Sequence, residues 1–528
     1  MKHKKAITAI VVVFLLIAIV IFLLLPLLAQ HFIDINKYRP LISRALTEEI
    51  GKEVELGELS LSLFWGIKLT AKDVTIKDSK TIAPEKSNNN ILSISKVTAN
   101  ISPLSLLSSK LKISKIVLVS PLLNVIKLED GSLNIGGDIA VNNVKSVKRN
   151  QTSPNRSLAF SNINDNLNVI PAEFTPEDKI EKLFNIKSVF VKRIEIHKGR
   201  FIFSAEKSGN KIHQFVELNG IDFTIDLHSP LERYNLLQDI NALKFFSINI
   251  AGYISSGNIF ETKITNINLS GSLDEGESVL ESLSFSAYDG IVNVKGVLNQ
   301  FSDMPLVELT IDASNIKFHE LLNAISDEEN LVVGTLALTG AFKFPIKTVG
   351  DFIKNLEGTG AISVTDGTIP EFSIRDEIAK SLGIPPASLP AELNTGDFDY
   401  MGGGYNVKFG KLFTNDFSTT GPSYNSTARG FLGFDKKMDF SGYIYPNEKI
   451  VKSSLFEKIT TFLGIGGKLD EVPFTLTGTL DNVKFKIEYE GISDEALKNL
   501  LGAFGSGKGN DSEGLMEWGR SILEDILE

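Results

Sequence analysis

The chain contains no cysteine among its 528 residues. Disulfides, thiolate metal sites and cysteine nucleophiles are therefore all excluded. The absence also suits a domain that is exported to an oxidising compartment, where stray disulfides would form. Tryptophan is nearly as rare, with 2 residues against 34 phenylalanines. Phenylalanine has no polar atom to satisfy, so this composition suits surfaces that stay dry or meet hydrocarbon, but an ordinary large core would use it equally.

Positive charge is also in deficit. The net charge is −10, which argues against nucleic acid as a partner. The chain has only 6 histidines, and none forms an HExxH pattern or a close pair with metal spacing. No GxSxG nucleophile elbow is present. We therefore predict no metal, no cofactor and no enzymatic activity.

One glycine-rich segment approaches a phosphate-binding loop. Gly502–Gly509 matches GxxxxGK, but Gly509 stands where Ser or Thr must reach Mg²⁺. The segment also follows a helical pattern, whereas a phosphate loop follows a strand. We interpret it as a linker.

Long hydrophobic runs are absent from the chain except at its start. Ala6–Leu28 is uncharged and, at about 23 residues, is long enough to cross a bilayer core of roughly 30 Å. A cleaved signal peptide is the competing interpretation, but its apolar region would be shorter and would end in small residues. We predict an uncleaved transmembrane helix at 6–28. The basic residues within 1–5 place the N-terminus in the cytoplasm and the bulk of the chain outside.

Apolar and polar residues alternate from Glu53 almost to the end. Ile221–Leu227 and Val483–Glu490 show this most clearly, and such strands have one dry and one wet face. The pattern predicts a mostly β, largely antiparallel fold with few helices. Turns are predicted at Asp289-Gly290, Asp366-Gly367 and Gly478–Asn482.

A few helices interrupt the strands. Asn36 is the predicted N-cap of a helix over Lys37–Ile50, with Gly51 following its end. This helix is expected to cap the first strands. A second helix is predicted at the start of Phe372–Leu393, and two amphipathic helices are predicted at Ser493–Phe504 and Leu515–Leu527.

Composition divides the chain into segments. After the tail (1–5) and the anchor (6–28), we predict a helix and β region at 29–135 and a polar linker or insertion at 136–182. A middle β region at 183–345 and a C-terminal β region at 346–490 follow, and the amphipathic helices occupy 491–528. The linker is rich in Asn, Ser and Lys and has few aromatics.

The N-terminal segments resemble the start of the AsmA family. The resemblance is carried by Asp34–Ile42 directly after the anchor, by Gly51–Gly57 and by the strand at Leu59–Phe64, although Lys52 stands where Arg is commoner. Looser similarities extend to Asp130–Asn134, Leu356–Gly360 and Leu476–Val483. The resemblance implies a bacterial inner-membrane protein with a periplasmic body, related to TamB and YhdP. It implies an elongated, curved β-sheet whose concave apolar face carries phospholipid acyl chains between envelope membranes.

The residues alone leave two architectures open. A sheet with one apolar face must cover that face with another layer or with a ligand. Two sheets covering each other would form β-sandwiches and need no lipid, whereas the AsmA resemblance favours a groove. The residues expected to line such a groove are the apolar positions of the two clearest strands: Ile221, Phe223, Ile225, Leu227, Val483, Phe485 and Ile487.

Three functions follow as hypotheses. The first is membrane-anchored transfer of phospholipid along the groove. The second is a scaffold or modulator of outer-membrane protein assembly that acts through protein contacts, such as strand addition at a sheet edge. The third is an envelope enzyme whose carboxylates converge only in the fold. Bound phospholipid, bound polypeptide or a pocket of clustered acids would distinguish them.

Overall fold

The structure is a computed structural model that describes only part of the chain. The described ranges are 34–63, 66–77, 90–107, 110–135, 188–207, 211–228, 246–299, 305–326, 331–345, 352–370, 372–382, 385–388, 391–393, 395–447 and 471–487. The predicted membrane helix, the polar linker and both C-terminal helices lie outside these ranges. Within them, no helix is long and apolar enough to cross a membrane.

The described residues are mostly strand and divide into two compact units. Unit 1 holds the described residues up to Glu261 together with Leu269–Gly276, and unit 2 holds Thr262–Asn268 and the residues from Glu277 onward. The mostly β prediction is confirmed. The domain boundaries drawn from composition stay predictions.

Unit 1 contains the first nine strands. They are β1 (Val54–Glu55), β2 (Leu59–Ser62), β3 (Ile67–Lys77), β4 (Asn90–Ile101), β5 (Lys110–Lys127), β6 (Ser188–Val191), β7 (Arg193–Lys207), β8 (Lys211–Leu227) and β9 (Ser247–Ile259). β1 and β2 both pair with β3, and antiparallel ladders join β3 to β4, β4 to β5, β7 to β8 and β8 to β9. β10 (Thr262–Asp274) is divided between the units.

Two strand pairs depart from the antiparallel pattern. β5 pairs in parallel with both β6 and β7. Parallel neighbours need a crossover connection, because the chain must return to the end from which the first strand started. Between β5 and β6, residues 136–187 lie outside the described ranges.

A single amphipathic helix, α1 (Arg39–Ile50), adjoins the first strands. Its end is as predicted, because Gly51 adopts φ 73° and donates its N–H to the Thr47 carbonyl. The predicted N-cap is wrong. A 3₁₀ turn at Ile35–Tyr38 precedes the helix, and the Asn36 side chain accepts instead from the Leu59 N–H of β2 at 2.8 Å. Asn36 therefore fixes the turn to the sheet.

Several strands of unit 1 each contain a residue with positive φ, and we call this line of residues the crease. Asp73 on β3, Ser120 on β5, Lys198 on β7 and Gly220 on β8 all have positive φ. The alternation changes phase there: on β8, Val216 and Leu218 are followed by Ile221 and Phe223 on the same face. An extra residue at a β-bulge turns the following side chains to the other face. The crease therefore keeps the apolar face continuous along each strand.

Unit 2 contains an antiparallel series of strands in chain order. They are β11 (Glu277–Ala287), β12 (Gly290–Asn299), β13 (Leu306–Lys317), β14 (Val333–Pro345), β15 (Glu357–Thr368), β16 (Asp397–Lys408), β17 (Lys411–Thr420), β18 (Tyr424–Gly433), β19 (Lys437–Pro446), β20 (Val472–Thr479) and β21 (Asn482–Ile487). Each pairs with the next. The helices are α2 (Phe318–Ile325), α3 (Phe352–Asn355) and α4 (Ile374–Leu382), with 3₁₀ turns at Pro386–Ser388 and Ala391–Leu393.

Two of the predicted turns in unit 2 are confirmed. Tyr288 and Asp289 have φ of 48° and 60° between β11 and β12, as the turn of a two-residue hairpin requires. Leu480 and Asp481 connect β20 to β21. The turn predicted at Asp366-Gly367 is wrong, because both residues lie within β15. Asp366 has φ 50° and marks a bulge there, so the same residue types served a bend in a strand.

Candidate apolar binding site

The residues predicted on β8 lie together on one face of unit 1. Phe223 pairs with Ile196 of β7 on one side and with Gly252 of β9 on the other. Ile225 likewise lies between Ile194 and Ile250. Ile221, Phe223 and Ile225 are half-buried, whereas Leu227 is buried. These positions therefore form part of an apolar face that the described residues cover only in part.

A glycine accommodates the largest of these side chains. A Cβ on Gly252 would overlap with the Phe223 ring. The ring therefore lies across the neighbouring strand, where it shields the glycine backbone and presents its own face as surface.

The residues predicted on β21 have different surroundings. Val483 is 44% exposed, whereas Ile487 is buried. Phe485 stacks on Phe474 of β20 at 5.4 Å between ring centroids and meets Phe372 edge-on at 5.2 Å. Phe485 is thus covered by the chain itself, so a charge placed there would disturb packing as well as any ligand.

One row of uncharged residues crosses every strand from β11 to β21. Its members face one another in consecutive ladders: Leu280, Gly296, Leu309, Phe342, Gly358, Val407, Leu412, Leu432, Met438, Gly478 and Val483. Strands lie about 4.8 Å apart, so the row extends for roughly 48 Å along the sheet. The predicted residue Val483 ends it, and sequence reasoning missed the other members.

The first six members of this row lie in an open pocket of ≈ 830 Å³. Leu309 and Phe342 are half-buried in it, although large apolar side chains of a closed core would be fully buried. We call this the apolar pocket. The alternation of Val307, Leu309 and Ile311 with polar residues was the available signal, but it resembled that of every other strand.

Glycines give the apolar pocket its flat floor. A Cβ on Gly358 would overlap with the Phe342 ring, and one on Gly360 would approach the Tyr405 ring to 2.6 Å. The two rings stack with 6.3 Å between centroids and 25° between planes. Both rings therefore lie along the sheet, and glycine is required beneath them because a larger residue would push them outward.

The Tyr405 hydroxyl does not make the floor polar. It donates to the Thr339 carbonyl at 3.0 Å, and the residue is only 6% exposed. Burial raises the pKa of Tyr405, so its hydroxyl stays protonated. The ring stacks on Phe342, which lines the pocket, while its polar atom is satisfied at the sheet.

The opposite face of the same strands is charged. Directly beside Leu309 and Phe342 in sequence, Glu308 pairs across the ladder with Lys343, which faces Glu357 in turn. The Lys343 ammonium lies 3.2 Å from the Glu357 carboxylate. Each strand therefore separates an apolar face from a hydrated one, as the alternation predicted.

Helices cover another part of the apolar face in unit 2. Ala313, Ile316, Leu336, Val364 and Phe398 form a buried cluster, and Phe318 and Leu321 of α2 pack against it. Ile374 and Ile378 of α4 are 1% exposed, as the amphipathic pattern predicted. Tyr405 lies between this core and the pocket on β16, since Met401 packs on the cluster and Val407 lines the pocket.

The polar face of unit 1 carries a small charged network. The Lys115 ammonium lies 2.8 Å from the Glu195 carboxylate, and His197 lies 3.4 Å from Glu195 and 3.3 Å from Asp222. The hydrogen bond from Lys115 holds the pKa of Glu195 below its ordinary value. The network ties β5, β7 and β8 together on the hydrated side. No group of three or more potential metal ligands occurs within the described ranges.

The comparisons with known proteins agree with the N-terminal signature. The AsmA family model matches residues 1–210, which include Asp34–Ile42 and the strands up to β7. No curated protein matches the sequence.

Proposed function

We propose that this chain, an AsmA-family protein by the match over residues 1–210, holds phospholipid acyl chains on its apolar faces and transfers them between envelope membranes. The observation that carries the proposal is the uncharged row from Leu280 to Val483, with an open pocket over its first part. The half-exposed apolar side chains there need a cover. Hydrocarbon supplies that cover without specific hydrogen bonds.

The energetics favour a continuous apolar surface. Each methylene that leaves water contributes about 0.8 kcal/mol, so exposing ten of them would cost roughly 8 kcal/mol. A chain that moves along an uncharged row passes between similar environments and avoids this cost. A single charge in the row would interrupt it, because an unpaired charge against hydrocarbon is expensive to desolvate.

The proposal includes a location. Ala6–Leu28 would anchor the chain in a bacterial inner membrane, with residues 1–5 in the cytoplasm and the units in the periplasm. The chain has no cysteine, so Tyr443→Cys, at a position 46% exposed, would report alone. A maleimide that permeates only the outer membrane should label it in intact cells. Labelling that requires lysis would contradict the proposed orientation.

Site-specific photocrosslinking tests the binding. A photoreactive residue at Leu309 should capture phospholipid, and one at Thr335 should not, because Thr335 is exposed on the opposite face of the sheet and lies outside the pocket lining. Mass spectrometry of the purified full chain identifies the captured molecule. Equal capture at both positions, or a polypeptide at Leu309, would contradict the proposal; the polypeptide would favour the scaffold hypothesis.

A charge in the row gives an independent readout. Leu309→Asp should abolish copurification of phospholipid, whereas Thr335→Asp adds the same charge on the hydrated face, outside the pocket lining, and should leave it unchanged. Circular dichroism of both variants shows whether the sheet is retained. Full lipid content in a folded Leu309→Asp protein would remove the pocket from the binding path.

A further inference from the structure

Two exposed phenylalanines occupy neighbouring hairpin turns at the rim of the apolar pocket. Phe409 follows β16, lines the pocket and is 81% exposed. Phe434 follows β18 and is 45% exposed. The Phe434 N–H donates to the Gly410 carbonyl at 2.9 Å, so the two turns are fixed side by side. We call Phe409, Gly410 and Phe434 the aromatic rim.

The backbone holds Phe409 outward. Phe409 has φ 55° and Gly410 has φ 70°, a pair of left-handed residues that makes a tight hairpin turn. Left-handed backbone is uncommon for a bulky aromatic residue. The turn therefore presents a large apolar side chain to solvent at a position that would suit a small polar residue better.

Lysines flank the aromatic rim. Lys408 and Lys411 lie on either side of the first turn, and their ammonium groups approach ring faces: Lys411 lies 3.6 Å from the Phe431 centroid and Lys408 lies 5.7 Å from that of Phe413. By contrast, the lysines of the second turn pair with carboxylates, Lys436 with Asp481 and Lys437 with Asp435, each at 3.0 Å. Positive charge is thus available beside Phe409 in particular.

We propose that the aromatic rim docks on the surface of a phospholipid bilayer, with Phe409 and Phe434 inserted among the acyl chains and Lys408 and Lys411 at the lipid phosphates. Exposed aromatic residues bordered by lysines are the composition that favours the interface of an anionic membrane. The apolar pocket opens at the same turn, so a docked rim would bring its mouth to the hydrocarbon. The role of this docking in lipid transfer rests on the proposed function.

The absence of cysteine makes the docking measurable. Phe409→Cys and Phe434→Cys, each labelled with an environment-sensitive fluorophore, would report the polarity at single positions. Phe260→Cys is the matched control, because Phe260 is also a turn phenylalanine and is 70% exposed. The full chain would be reconstituted in nanodiscs, which accommodate the predicted anchor, and mixed with vesicles of phosphatidylcholine and phosphatidylglycerol.

Docking predicts a blue shift and stronger emission at 409 and 434 on addition of vesicles, and none at 260. High salt or omission of phosphatidylglycerol should reduce the response, because charged contacts to phosphates are screened. Phe409→Ser/Phe434→Ser should weaken vesicle binding by at least about tenfold, because it removes both aromatic rings that would leave water on docking. Phe260→Ser should retain it.

Two outcomes would overturn the docking. The first is no response at 409 and 434, or an equal response at 260. The second is a response to vesicle-free envelope proteins in place of lipid, which would assign the rim to a protein partner. Crosslinking of phospholipid at Leu309 in the same preparation separates the two proposals, because it tests the pocket and does not depend on the rim.

Discussion

The apolar face of unit 2 has a covered part and an open part. In the covered part, Ile374 and Ile378 of α4 are almost inaccessible, and α2 packs on the cluster around Phe398. In the open part, Leu309 and Phe342 are only half-buried around a pocket of ≈ 830 Å³. The strands are the same in kind on both sides. The difference therefore lies in whether the chain supplies a helix, and it separates residues that hold the fold from residues available to a ligand.

The largest effect should come from the covered part. Ile378→Ala removes a fully buried side chain and should lower the free energy of unfolding by roughly 2–5 kcal/mol. Leu309→Ala should lower it less, by about 1–2 kcal/mol, since that side chain is only partly buried and keeps some contact with water. Urea denaturation of the full chain in detergent measures both. Equal losses would show that the pocket is packed like the core.

A buried tyrosine in the same unit provides a comparison across pH. Burial, aided by the Asp397 charge, raises the pKa of Tyr424 to about 12 from 10.0. The folded state therefore resists ionisation, and this contribution is present below pH 10 and lost as the pH rises towards 12. The loss should be on the order of 2–3 kcal/mol. Tyr424→Phe should reduce this alkaline slope, which urea midpoints between pH 8 and 11 would show, and the buried Tyr405, whose pKa is also raised, should account for what remains.

The control for this measurement is a tyrosine at the surface. Tyr443→Phe, at a position 46% exposed, should leave the alkaline slope of the natural chain in place. If Tyr424→Phe leaves the slope undiminished as well, another group is responsible for the alkaline loss.

The smallest effect on stability is expected at Tyr405, which lies between the covered and the open part of the apolar face. Tyr405→Phe keeps the ring over Gly360 but removes the hydrogen bond to Thr339, which should cost about 0.5–1.5 kcal/mol of stability. Capture of phospholipid at Leu309 should not change, because the ring still stacks on Phe342, which lines the pocket. Reduced capture would show that the hydroxyl, and not the ring, shapes the site.

The sequence predicted the elements better than their surroundings. The alternation on β8 and β21 gave the correct faces for Phe223 and Phe485, because side-chain direction follows from strand geometry alone. It could not show that Phe372 covers Phe485, since that contact joins residues 113 positions apart. Whether a strand position is buried depends on which distant segment packs on it. The local pattern of apolar and polar residues does not contain that information.

Residues with a left-handed backbone conformation account for two further differences between the prediction and the structure. Asp366-Gly367 has the composition of a turn, yet it forms a bulge within β15. The crease in unit 1 uses the same residue types within β3 and β8, at Asp73 and Gly220. Asp, Asn and Gly tolerate positive φ in turns and in bulges alike, so composition alone cannot distinguish them. The change of phase in the alternation on β8 is the signal that could have done so.

The parallel pairing of β5 with β7 has a consequence for the order of folding. Leu118 pairs with Val97 of β4, 21 positions earlier, and with Ile196 of β7, 78 positions later. Closing the longer loop costs about 1 kcal/mol more in chain entropy. During synthesis, β3, β4 and β5 can pair before β7 has left the ribosome. The other edge of β5 then stays unpaired until β7 has been synthesised. Pulse-labelled hydrogen exchange should therefore protect β4 before β7, and a chaperone that shields free strand edges would find its substrate at β5.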